Sequence, residues 1–204
     1  LLPTEGRPLS QGADLAAMWR ERAPLYARFR DVEIDNSACT EAAPAGGAVI
    51  VNSGYVDLTL SGESTLRGGK EMAGLNIPYG ATVAIDGGGV LRSYGGSTTA
   101  GGYGSAGIGA FAGGTCGKLI VNGGTVYGQG ALGGAGFGSG AGYGYIGSKP
   151  GGVLVMNGGE ATFEGSYSGT DTWSVTQGVG STNGDTSVEI NGGCLLYTSP
   201  SPRD

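Results

Sequence analysis

Apolar positions change their period near residue 44. Ahead of that point, Leu15, Met18 and Trp19 recur at three- and four-residue spacing behind Asp14, a good helix N-cap, which predicts a helix that Pro24 interrupts. Leu25, Tyr26 and Phe29 continue a second helical stretch, and Val32 and Ile34 then alternate as in a short strand. Beyond it, short β-branched runs alternate with glycine-rich turns as far as about Gly193. A junction is therefore expected at about Ala42 to Gly47.

The second region repeats. A strand-plus-turn signature reads VIVNSG at Val49, VAIDGG at Val83, LIVNGG at Leu119, LVMNGG at Leu154 and VEINGG at Val188. Its polar corners fall at Asn52, Asp86, Asn122, Asn157 and Asn191, a period of about 35 residues. A second signature, AGLN, AGIG, AGFG and QGVG, begins at Ala73, Ala106, Ala135 and Gln177. Asn-Gly and Asp-Gly supply the positive-φ positions that a sharp corner needs. The β-branched residues before each corner can then stack on their equivalents in the next repeat and close a shared core. The expected fold is mostly β: a short glycine-rich β-solenoid, β-helix-like, over residues 46–193, with a small helical segment over 1–43.

Composition narrows the function classes. The chain has 204 residues, of which 46 are Gly without a Gly-X-Y period, and an apolar share of 39%, which excludes collagen and argues against wholesale disorder. With 11 basic against 17 acidic residues the net charge is -6, unsuited to gripping a phosphate backbone, so nucleic acid is not an expected partner. No apolar run approaches the ~20 residues of a membrane span. Leu1 opens the chain without an initiator Met or a signal-peptide pattern, which reads as a fragment.

Catalytic chemistry finds few candidates. There is no His, and Cys39, Cys116 and Cys194 have neither disulfide-framework nor zinc-site spacing, so no metal or cofactor is expected. Glu160 and Glu164 are the close carboxylate pair, placed on one face of a strand, and Asp171 and Asp185 stand apart. AGGTCGKL approaches a phosphate-binding loop, but Leu119 follows Lys118 where Ser or Thr would hold magnesium, and the segment reads as a turn entering a strand. Sugar binding demands less: aromatic platforms for ring faces and polar groups for their edges. Tyr103, Tyr143, Tyr145, Tyr167 and Trp173, in the variable insertions, are the carbohydrate-binding candidates, with a polysaccharide or host glycan as partner.

Three resemblances follow from these motifs. GRPLS followed by LAAMWRERAPLYARFRDVEIDN resembles the carboxy-terminal end of shikimate kinase over residues 1–43. By that resemblance Arg7 matches the lid arginine that contacts nucleotide and Arg22 the arginine that pairs with the shikimate carboxylate, tasks suited to a guanidinium fork. The resemblance implies cytoplasmic phosphorylation of shikimate. Without the phosphate cradle, its Lys and a magnesium ligand, the expectation is an inactive remnant joined by assembly error. The AGIG, CGKLIVNGGTVYGQG and GGAGFGSG pattern of residues 46–193 resembles glycine-rich repeats of gut-bacterial surface proteins, which implies an extracellular stalk, adhesin or carbohydrate-binding module and no catalysis. CLLYTSPSPRD, Cys194 to Asp204, is similar to a translated transposase sequencing adapter and is set apart from the fold.

Overall fold

Short β-branched runs closed by glycine corners can satisfy their backbone groups only by pairing with the equivalent run one repeat away. The computed structural model, which describes residues 49–97, 103–141, 151–166, 177–181 and 185–198, shows that outcome. The helical reading of residues 1–43 lies outside the described residues. Five coils each contribute three strands. The first coil holds β1 (Val49–Ile50), β2 (Gly54–Leu60) and β3 (Glu63–Arg67), and the second β4 (Leu75–Asn76), β5 (Ala81–Gly87) and β6 (Val90–Tyr94). The third holds β7 (Ile108–Gly109), β8 (Lys118–Val121) and β9 (Thr125–Gln129), and the fourth β10 (Phe137–Gly138), β11 (Gly152–Met156) and β12 (Glu160–Glu164). The fifth holds β13 (Val179–Gly180), β14 (Thr186–Ile190) and β15 (Cys194–Thr198).

Every pairing between these strands is parallel, giving three five-stranded sheets: β1-β4-β7-β10-β13, β2-β5-β8-β11-β14 and β3-β6-β9-β12-β15. The result is a β-solenoid-like stack. Because side chains alternate across a strand, each sheet sends every second residue inward and aligns it with its equivalent in the next coil. In the second sheet one inward column is Val56, Val83, Leu119, Leu154 and Val188, and the next is Leu58, Ile85, Val121, Met156 and Ile190. The first sheet adds Val49, Leu75, Ile108, Phe137 and Val179, and the third brings Phe163, whose ring lies 5.7 Å from that of Phe137.

Two expectations change. Asn52 is not the first copy of the corner. Val49–Ile50 pairs with Leu75–Asn76 in the first sheet, and the residue in register with Asp86 is Thr59. VIVNSG is thus the first-coil member of the AGLN, AGIG, AGFG and QGVG series, and its even spacing from Asp86 is a coincidence of unequal coils. The second correction concerns Cys194–Thr198, set apart above but paired as β15 with β12 in unbroken parallel register. Leu195 falls opposite Ala161 and packs on the core, because CLLYT retains the inward–outward alternation that the position demands.

The AG signature has a steric cause. A Cβ on Gly107 would run into the backbone of Gln129, and one on Gly136 would lie 2.5 Å from the Glu164 nitrogen. Here the short first sheet turns against the end of the third, and only glycine allows that approach.

Candidate functional site

An open groove of about 610 Å³ crosses the start of the second sheet from the second coil to the fifth. Its outer-face residues are stepped by the sheet itself: Thr82, Lys118, Val153 and Ser187 are successive partners in register. Gly117 and Gly152 line it beside them. Gly152 has φ +100°, and a Cβ there would sit 2.7 Å from the Cys116 sulfur, so the floor can carry no side chain at that point.

Tyr79 forms one wall. The Ala81 nitrogen donates to the Pro78 carbonyl at 3.0 Å, with Gly80 at φ +86°, the pattern of a type II turn that needs glycine at its third position. The Tyr79 nitrogen is tied to the Thr115 carbonyl at 3.0 Å, which fixes the turn against the next coil. Its ring, 69% exposed, is left projecting beside the groove. Asp185 and Thr186 line the far part, and Thr186 Oγ1 is buried without a hydrogen-bond partner. An aromatic face, an ammonium, a carboxylate and several hydroxyls therefore converge on one elongated depression. That combination suits a polyhydroxylated ligand.

Cys116 also lines the groove but is sealed from chemistry. It is 1% exposed, and burial pushes its thiol up to about 12, against a weaker lowering effect from hydrogen bonding with the Gly117 backbone. A nucleophilic cysteine needs the opposite shift. Among the described residues no group of three or more His, Cys, Asp or Glu side chains is placed to hold a metal ion.

The outer face of the third sheet carries a second polar–aromatic cluster. Arg67 lies over the Tyr94 ring at 4.5 Å, and the Tyr94 and Tyr127 rings are 5.7 Å apart at 56°. The Tyr127 hydroxyl donates to Glu164 Oε2 at 2.6 Å, and Gln129 Nε2 donates to the same oxygen at 3.3 Å. Partial burial, then the bond and charge of Glu164, hold the Tyr127 phenol above its ordinary range. Glu160 and Glu164 do share the outer face of β12, as their spacing predicts, but Glu164 is engaged by Tyr127 and Gln129. This cluster satisfies itself and braces four coils.

Of the aromatic candidates read from the sequence, Tyr103 is half-buried beside the Ser97–Gly104 bridge and does not line the groove. Tyr143, Tyr145, Tyr167 and Trp173 lie outside the described residues, as do Arg7 and Arg22. The structure instead gathers Tyr79, Thr82, Lys118, Asp185 and Thr186, which the sequence scatters over three coils, the second, third and fifth. Only Tyr79 carried a local signal, the Pro-Tyr-Gly turn. No helix among the described residues is long and apolar enough to cross a membrane. The chain matches no protein-family model, no curated protein and no solved structure.

Proposed function

We propose that this chain is a non-catalytic solenoid module of a bacterial surface protein that binds polysaccharide or host glycan as an adhesin or carbohydrate-binding stalk. The observation that carries the reading is the Tyr79 ring standing exposed at a groove to which the second, third and fifth coils contribute polar side chains. Strands stack at ~4.8 Å, so Thr82, Lys118 and Ser187 offer contacts at steps along one line, as an extended sugar chain offers hydroxyls along its own. A stacked Tyr side chain supplies contact area with little entropy to lose, and the unpartnered Thr186 hydroxyl gains from any sugar hydroxyl that reaches it.

A glycan array probed with the full chain tests this directly. Binding to a polysaccharide is expected, weakened about tenfold or more by Tyr79→Ala, a loss of about 1.4 kcal/mol. Tyr79 is too exposed for its removal to unfold the stack. A blank array overturns the reading. Full binding by Tyr79→Ala with loss in Trp173→Ala moves the site from the groove to the insertions.

A further inference from the structure

Three corners after the second sheet carry the same dipeptide: Asn122-Gly123, Asn157-Gly158 and Asn191-Gly192. All three Asn residues are exposed and all three Gly residues half-buried, so gross exposure does not separate them. Asn-Gly is the pair best suited to react with itself, because a following residue without a Cβ lets its nitrogen close on the side-chain amide carbon. Hydrogen bonding does separate them. In the fourth and fifth coils the glycine nitrogen is held by the preceding coil, Gly158 N donating to the Val121 carbonyl at 3.2 Å and Gly192 N to the Met156 carbonyl at 3.1 Å. In the third coil only the Asn122 nitrogen donates to the equivalent Ile85 carbonyl, at 2.8 Å, and Gly123 N has no partner among the described residues.

The side chains divide the same way. Glu189 Oε1, which as a carboxylate oxygen only accepts, takes a bond from Asn191 Nδ2 at 2.9 Å and so sets the direction of the amide ladder. Asn191 Nδ2 also donates to Asn157 Oδ1, and Asn157 Nδ2 to Asn122 Oδ1, each at 2.9 Å. The ladder stops there. Asp86, at the corner before, takes its bond from the Gly87 nitrogen at 2.7 Å, and Asn122 Nδ2 donates to nothing among the described residues. Asn122 therefore combines a free attacking nitrogen, a free leaving nitrogen and a carbonyl oxygen polarised by the Asn157 donor. Asn157 and Asn191 lack the first two.

We infer that Asn122 is a self-modification site. The Gly123 nitrogen attacks Asn122 Cγ: a C–N bond forms, the Cγ–Nδ2 bond breaks, and ammonia leaves with the proton from Gly123. Water then opens the resulting succinimide ring, adding hydroxyl to one carbonyl and hydrogen to the nitrogen, to leave aspartate or isoaspartate. The ladder accommodates the aspartate at this corner alone, since Asn122 only accepts within it, as a carboxylate can, whereas Asn157 and Asn191 must donate. Asp86 already places a carboxylate at the equivalent corner one coil earlier. The inference is independent of what the groove binds.

The full chain, held in mildly alkaline buffer and followed by peptide mass spectrometry with isoaspartate resolved by chromatography, reads the three rates side by side. Asn122 should convert about tenfold or more faster than Asn157 and Asn191, whose two held nitrogens must first be released. In urea, where the corners are lost, the three rates should draw together. Asn157→Asp removes the donor to Asn122 Oδ1 and favours an Asn122 amide turned so that Nδ2 faces the new carboxylate, which should slow Asn122 conversion several-fold. Should that variant lose its β-sheet circular dichroism, the comparison within the unaltered chain decides alone. Similar rates at the three corners of the folded chain, Asn157 or Asn191 converting first, a spread that persists in urea, or unslowed conversion in a folded Asn157→Asp chain overturns the inference.

Discussion

Met156 and Ile190 occupy the same inward column one coil apart, yet one is 0% and the other 58% exposed. Leu154 and Val188 make the same contrast at 0% and 44%. Direction is set within the strand, by alternation about the pleat. Burial is set by the neighbouring coil, because each strand of a solenoid covers its partner's side chains rather than its own. The middle coils, covered on both sides, therefore hold the stability, while the fifth coil contributes through one face. Tertiary neighbours, not residue type, divide the two regions.

The largest test of that division uses two rings in register, Phe163 and Tyr197. Phe163→Ala empties a fully buried site against Phe137 and should cost about 3–5 kcal/mol in urea unfolding. Tyr197→Ala, on the open coil, should cost under about 1 kcal/mol. Equal losses would mean that the fifth coil is packed as tightly as the fourth. A smaller difference separates the thiols Cys116 and Cys194. Exposed Cys194 should react at once with a disulfide reagent at pH 8, whereas buried Cys116 should react only as fast as the stack opens. The linkage sign follows from the raised thiol. Below pH 9 Cys116 is protonated whether folded or unfolded, but between about 9 and 12 only the unfolded thiol ionises, so stability falls as pH rises through that window. Cys116→Ala should flatten that alkaline decline in a series of urea midpoints.

The smallest effect concerns the amide ladder at the corner between the second and third sheets. Asn157 Nδ2 donates to Asn122 Oδ1 and Asn191 Nδ2 to Asn157 Oδ1, each at 2.9 Å. Asn157 both donates and accepts, so Asn157→Ala should cost about 1 kcal/mol, and Asn191→Ala, at the end of the ladder, about half that. Thermal midpoints of the two variants resolve the order. The reverse order would place the weight of the ladder on Asn191 and its contact with Glu189.

Much of the architecture was legible because it is local chemistry repeated. The Asp86, Asn122, Asn157 and Asn191 corners are read correctly, since a polar residue followed by glycine marks the same sharp bend each time. The AG series marks the first sheet for an equally local reason, the steric exclusion of any Cβ against the third. Asn52 misled because an Asn before a small residue in a shorter coil imitates the corner while lying one strand ahead of it. Cys194–Thr198 misled in the other direction: a break in motif hid a strand whose alternation still served the core. The groove was not legible as a site, and only the turn that carries Tyr79 had a local signal. Tyr79, Lys118 and Thr186 share no motif and become neighbours only when the coils align.

The sequence by itself determined the period, the corners and the inward set of each strand, since these depend on φ preference and on alternation within a few residues. Register between unequal coils, the exposure of one end and the convergence of an aromatic ring, an ammonium and hydroxyls on a common groove were decided by the tertiary structure. They depend on which strand lies one coil away, and no local stretch of chain encodes that distance.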